Sequence, residues 1–249
     1  NGMWRAPNES PASHELEGNL RIYGGHLPQF SMYLNKMFAL PPKEKSFSSE
    51  VDFTWNPGKL IATKGRIALS ETGGAPQFSE AVFPEQPESL IDFDVTSRPD
   101  TVHFKKLDYR AGAFKFKMDG AYSGFSKNNP RVSLNVSSSP FAVEGTQQLL
   151  PFKLFFTKTH QAFQSRFKRG QLEIKSLHFS GTLDQLNHMS RPDNLKRLDA
   201  YLHLKEVDFG AQLPQLEAVS GALTIKPEGN TINISHARYA DFSISGLSG

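Results

Sequence analysis

Residues 198–249 read LDAYLHLKEVDFGAQLPQLEAVSGALTIKPEGNTINISHARYADFSISGLSG, and their alternation decides the fold class. Ala200, Leu202 and Leu204 alternate with Tyr201, His203 and Lys205; Leu223 and Ile225 alternate with Thr224 and Lys226; Ile232 and Ile234 alternate with Asn233 and Ser235. A period of two means extended strands with one buried face. Pro227, Glu228, Gly229 and Asn230 separate the second run from the third, and this cluster supplies the fixed negative φ and permissive positions of a hairpin loop. The stretch is therefore a meander of short antiparallel strands.

The same pattern recurs upstream. Val51, Phe53 and Trp55 share a strand face, with a turn at Asn56-Pro57-Gly58 and further strand character from Leu60 to Leu69. Ile91, Phe93 and Val95 precede a turn at Arg98-Pro99-Asp100, and the extra residue between Phe104 and Leu107 reads as a β-bulge. The cleanest alternation is AFKFKMDG, which sets Phe114, Phe116 and Met118 against Lys115, Lys117 and Asp119, and Val132, Leu134 and Val136 follow. Strands resume at Leu172 and Ile174, slip register, and continue through Leu177 and Phe179.

Two stretches carry helical spacing instead. Leu27, Phe30, Leu34, Met37 and Phe38 predict an amphipathic helix over Leu27–Leu40, stopped by Pro41-Pro42. A Phe-rich stripe over 141–169 predicts a second, interrupted at Pro151, with Gly170 placed as its C-terminal cap. Its basic opposite face suits an anionic membrane surface, but a helix capping a sheet has the same moment and is the plainer reading. The organisation expected is a linker over residues 1–14, a first β segment with a helix over 15–80, and a second over 81–249 with a helical insert at 141–169.

Composition narrows the chemistry. The chain of 249 residues has 38% hydrophobic side chains, 20 Phe and no Cys. Thiolate metal sites, disulfides and Cys nucleophiles are thereby excluded. A formal charge of +3 gives no case for nucleic acid. No apolar run approaches the roughly 20 residues a membrane-spanning helix needs, and both ends read as cuts from a longer polypeptide. Asp92 and Asp94 form an i, i+2 carboxylate pair that suits a divalent cation beside a phosphate or nucleotide sugar. The solvent side of the Ile91, Phe93, Val95 strand explains them more simply. The 8 His form no HExxH pattern, and neither a GxSxG elbow nor a Gly-rich phosphate loop occurs. The sequence thus predicts no metal, no cofactor and no catalysis. Asn8, Asn135 and Asn233 lie in N-x-S sequons, which matter only in a eukaryotic secretory setting.

Three stretches carry a family resemblance: VHFKKLDYRAGAFKFKMDGAYSGFSKNNPRVSLNVSSSPFAVEGTQQLLP, then GQLEIKSLHFSGTLDQL with NLKRLDAYLHLKEVDFGAQLPQLEAVSGALTIKPEGN, and ISHARYADFSISGLSG. Their rhythm of "G-x-L" strand, strand rising to a Gly, short "LP" element and closing "S-x-I-x-G" strand resembles the AsmA-like bacterial envelope proteins, the AsmA, TamB and YhdP group. Residues 15–69, beginning EGNLRIYGGHLPQF, resemble it less strongly. The resemblance implies a mainly β, elongated and curved antiparallel sheet, a taco-like repeating β-groove with a few amphipathic helices. It implies the periplasmic part of a protein anchored in the inner membrane by a segment this chain lacks, with phospholipid or another acyl-chain lipid as partner and other envelope proteins as possible partners. The family supplies no catalytic residues.

The groove-lining candidates are then the apolar strand positions: Val51, Phe53, Trp55, Ile91, Phe93 and Val95; Phe114, Phe116, Met118, Val132, Leu134 and Val136; and Leu202, Leu204, Leu223, Ile225, Ile232 and Ile234. An apolar sheet face must meet a second sheet, a helix or a lipid. The expected function is lipid conduction or shielding in outer-membrane biogenesis; the alternative is a non-catalytic structural or protein-interaction β-sandwich of the envelope, in which the protein fills the face itself. A glycan-active enzyme using Asp92 and Asp94 is a distant third.

Overall fold

A computed structural model describes residues 15–26, 45–56, 58, 60–71, 89–144, 167–189, 191–209, 216–239 and 242–248. Among these the chain is mainly β, with thirteen strands and two helices of a single turn or little more. It divides into two compact units, Asn1–Asn128 and Asn129–Gly249. Every strand pairing described is antiparallel, the class that the period-two runs predict.

The first unit is a meander in which each strand pairs with its sequence neighbour: β1 (Leu16–His26), β2 (Lys45–Asn56), β3 (Leu60–Glu71), β4 (Ser89–Arg98), β5 (Thr101–Ala111) and β6 (Phe114–Ser123). The ladder continues from β3 to β4, Ile67 facing Ile91 and Thr63 facing Val95, so one sheet crosses the expected boundary at 80/81. The bulge expected between Phe104 and Leu107 is present. β1 runs through Gly24-Gly25 rather than turning there, with an irregularity between Ile22 and Gly25.

The second unit contains β7 (Arg131–Ser138), β8 (Phe141–Ala142), β9 (Phe167–Thr182), β10 (Leu198–Phe209), β11 (Leu216–Lys226), β12 (Gly229–Tyr239) and β13 (Phe242–Ser248). β9 pairs with β7, β8 and β10, and the rest follow in order to β13. Helices α1 (Leu183–Asn187) and α2 (Pro192–Leu195) join β9 to β10. Thr182 and Gln185 form a reciprocal capping box that starts α1.

Two expectations are corrected. Phe141–Ala142 and Phe167–Arg169, assigned to a helix, are strand, and Gly170 lies inside β9 rather than capping a helix. Gly170 has φ of 112°, and a Cβ there would strike Glu206 and Val207 of β10, so only glycine lets the two backbones approach. Residues 145–166, the helix expected over Leu27–Leu40 and the linker over 1–14 lie outside the described residues.

Irregularities line up across the second unit at that level. Lys205 and Glu206 of β10 stand opposite Ser220, with Glu206 at φ 52°. Ala218 of β11 sits at φ 49°, the β11–β12 register shifts beside Ser220, and Gly246 of β13 has φ of 71°. A bulge moves side chains to the opposite parity and bends the strand. That is how Leu204 and Val207, three apart, and Ile234 and Ala237, also three apart, are all buried.

Candidate functional site

Register turns the alternating sequences into rows that cross the strands. In the first unit one face carries Leu20–Val51–Gly65–Phe93–Leu107–Met118, and beside it Ile22–Ser49–Ile67–Ile91–Tyr109–Phe116. A third row runs Gly18–Phe53–Thr63–Val95. The Phe53 ring lies over Gly18: a Cβ there would come within 2.5 Å of Phe53 Cζ, so the absent side chain makes room for the ring.

Burial along this face is graded. Tyr109, Phe114, Phe116 and Met118, on β5 and β6, are buried, Phe116 being only 1% exposed. Val51, Phe53, Ile91, Phe93 and Val95 are half-buried. Towards β1–β3, Leu20 is 51%, Trp55 44% and Ile61 46% exposed, with Trp55 and Ile61 facing each other across the ladder. Leu20 and Ile61 are absent from the expected set, although Leu20 and Ile22 share the spacing that identified the others.

The opposite face is charged, and sequence alone does not reveal its order. One row runs Arg21–Glu50–Arg66–Asp92–Asp108–Lys117 and the next Asn19–Asp52–Lys64–Asp94–Lys106. Signs alternate from strand to strand except at Asp92–Asp108, where Arg110 reaches Asp92 at 2.5 Å. Lys105 lies 4.0 Å from Asp94, and Arg66 lies 3.9 Å from Glu50. Tyr23 donates to Glu50 at 2.9 Å, and this bond to a carboxylate raises the phenol above its ordinary pKa. Asp92 and Asp94 are thus two of the acidic members of a cross-strand charge array, each beside a cation. Among the described residues no cluster of His, Asp or Glu has the makings of a metal site.

In the second unit the expected positions form corresponding rows. Val136 and Leu177 lead to Ala200 and Ile225; Leu202 faces Leu223, which faces Ile232; Leu204, Gly221, Ile234 and Leu247 are in line. Val132, Leu134, Val136, Leu202, Leu204 and Ile234 are buried, whereas Leu223, Ile225 and Ile232 are half-buried. A trough of 710 Å³ crosses β9–β13, lined by the row Leu172–Leu204–Gly221–Ile234–Leu247 and by flanking residues that include Glu173, His203, Lys205 and Asn233. Within that lining, His203 Nε2 meets the Tyr201 hydroxyl at 2.9 Å, and its Nδ1 is 3.6 Å from Glu173. Glu173 also holds Lys175 at 2.7 Å, so the carboxylate is shared and too far from the imidazole to orient it by a hydrogen bond.

No helix among the described residues is long and apolar enough to cross a membrane. Comparison with known proteins finds no matching family model, no matching curated protein and no matching solved structure.

Proposed function

We propose that the chain is a non-catalytic lipid-handling segment whose apolar sheet face shields phospholipid acyl chains in the periplasm, as part of a protein anchored in the inner membrane. The observation carrying the proposal is the contrast between the two faces of the first unit. One has Leu20, Trp55 and Ile61 exposed beside half-buried Val51, Phe53 and Phe93; the other has its charges in alternating rows. Covering those apolar side chains with an acyl chain is favourable by roughly 0.8 kcal/mol for each CH₂ removed from water. The AsmA-like rhythm of turns and strands supports the same reading.

Burial of Phe114, Phe116, Met118, Val132, Leu134 and Val136 favours a second reading for those positions, a structural or interaction domain that fills its own apolar face. Gentle purification, lipid extraction and mass spectrometry separate the two. The lipid reading expects co-purifying phospholipid and uptake of a fluorescent phospholipid. Absence of both leaves the structural domain.

A further inference from the structure

We propose that the polar face of β9–β12 carries a site for an acidic oligosaccharide, seated in the trough that crosses these strands. Leu172, Leu204 and Ile234 are only 1%, 4% and 6% exposed, so their side chains fill the opposite face and their backbones floor the 710 Å³ trough. Its walls are two rows of outward side chains. One row is Glu173–His203–Ala222–Asn233, each residue facing the next across the ladder. In the other, Gln171 faces Lys205, and Ser220 and Ser235 continue the line. Residues two apart on a strand stand roughly 7 Å apart, and β9 to β12 covers three strand spacings, roughly 14 Å, so the trough has the width of one extended chain. At its middle, on β11, Ala222 and Ser220 contribute only short side chains.

The polar groups of the walls are not used up within the protein. The side chains of Gln171, Lys205 and Asn233 make no hydrogen bond or ion pair with another described residue. Glu173 is neutralised by Lys175 at 2.7 Å, which leaves the Lys205 ammonium as the uncompensated charge of the lining and selects a ligand with an anionic group. Amide, carboxylate, imidazole and hydroxyl groups together donate and accept, as a ligand with many hydroxyls requires.

Tyr201 adds an apolar surface. It lies two residues before His203 on the same face and is 39% exposed, with its ring 5.0 Å from the imidazole and its hydroxyl 2.9 Å from Nε2. An aromatic ring held in place this way can cover the C–H face of a sugar while its polar end stays bonded. A peptide is the poorer occupant, because it needs an open strand edge or an apolar groove. The trough crosses the strands between polar rows and offers neither.

The site lies on the face opposite the apolar rows, so the proposal does not rest on lipid binding. The test applies the full chain to an array of neutral, uronate-bearing and phosphate-bearing oligosaccharides, with a tetraglutamate peptide as the anionic comparison. Binding confined to the acidic oligosaccharides is expected. Asn233→Ala removes an exposed hydrogen-bonding group and should weaken that binding about tenfold with an unchanged thermal melt. Lys205→Gln, also at an exposed position, should bring acidic and neutral members to similar affinity. Lys64→Gln, on the charged face of the first unit, should bind as the parent does. Absence of binding to every oligosaccharide overturns the proposal. So does tetraglutamate binding as tightly as the acidic oligosaccharides, neutral members binding the parent as well as acidic ones, or binding indifferent to both trough variants.

Discussion

Phe116 and Lys117 are neighbours with opposite fates. Phe116 is buried beside Tyr109 and Phe114, whereas Lys117 is exposed opposite Asp108. Phe116→Glu removes a packed ring and buries an unpaired carboxylate, and the mechanisms together cost about 3–5 kcal/mol or more against a usual total of roughly 5–15. The variant should melt well below the parent or fail to express, while Lys117→Gln should melt within a few degrees of it. A calorimetric scan showing Phe116→Glu as stable as Lys117→Gln would mean that Phe116 faces lipid or water instead. Asp208 supports a different kind of position. One carboxylate oxygen accepts from the backbone N–H of Ala218 at 2.8 Å, and the other meets Arg169 at 2.8 Å. Three strands are thereby joined where Ala218 holds a left-handed φ of 49°. Asp208→Ala leaves a partly buried donor unmatched and should lower stability by about 1–3 kcal/mol in denaturant titration; Asp208→Asn, which keeps an acceptor, should recover part of that. Equal losses for Ala and Asn would assign the effect to the ion pair rather than to the strained backbone.

Elements are held in register by what lies on both faces. A slip of one residue between β2 and β3 would turn the apolar residues of one strand to the charged face and set its charges, Arg66 and Lys64 for β3, among apolar side chains. Cross-strand pairs are each worth roughly 0.2–1 kcal/mol, so Arg66→Glu, which replaces two attractive neighbours with two repulsive ones, should cost about 1–2 kcal/mol. Because salt near 1 M shortens the screening length to about 3 Å, much of that loss should return at high salt, whereas Arg66→Gln should show little salt response. A salt-independent deficit in Arg66→Glu would mean that the charge rows contribute packing only. This array also marks the limit of what the sequence disclosed. Alternation in AFKFKMDG identified β6 and its buried face directly, and the spare residue at Lys105-Lys106 identified a bulge, because both signals are local. Which charge faces which depends on pairing between strands and cannot be read along one strand. Arg169-Gly170 is ambiguous in sequence for a related reason: a glycine with positive φ suits a helix C-terminus and a bulged strand equally, and only the backbone of Glu206 and Val207 beside it distinguishes them. The parity change from Leu204 to Val207 was hidden similarly, since a spacing of three breaks the strand pattern unless the bulge is known.

The molecule as a whole repeats one arrangement, successive antiparallel strands with an apolar and a polar face, and the groove candidates differ in how far that apolar face remains uncovered. In the first unit uncovered area concentrates at Leu20, Trp55 and Ile61, while the buried residues of β5 and β6 are already packed. If acyl chains are held, they should contact the β1–β3 side first. Trp55 reports this directly, since the chain has 2 Trp and Phe can replace Trp4 to leave a single fluorophore. Phospholipid with brominated acyl chains should quench Trp55 on binding, and the same lipid without bromine should leave a blue-shifted, unquenched emission. Leu20→Glu, at an exposed position on the same face, should leave the melt nearly unchanged. Bringing an acyl chain against its carboxylate should cost roughly 2 kcal/mol, about a thirtyfold loss of affinity. Quenching should then require correspondingly more lipid, while Lys64→Gln on the charged face should bind as the parent does. Equal quenching curves for Leu20→Glu and the parent would place the lipid elsewhere. No quenching, from a Trp55 that remains exposed to an aqueous quencher with lipid present, would remove the acyl-chain reading from this face altogether.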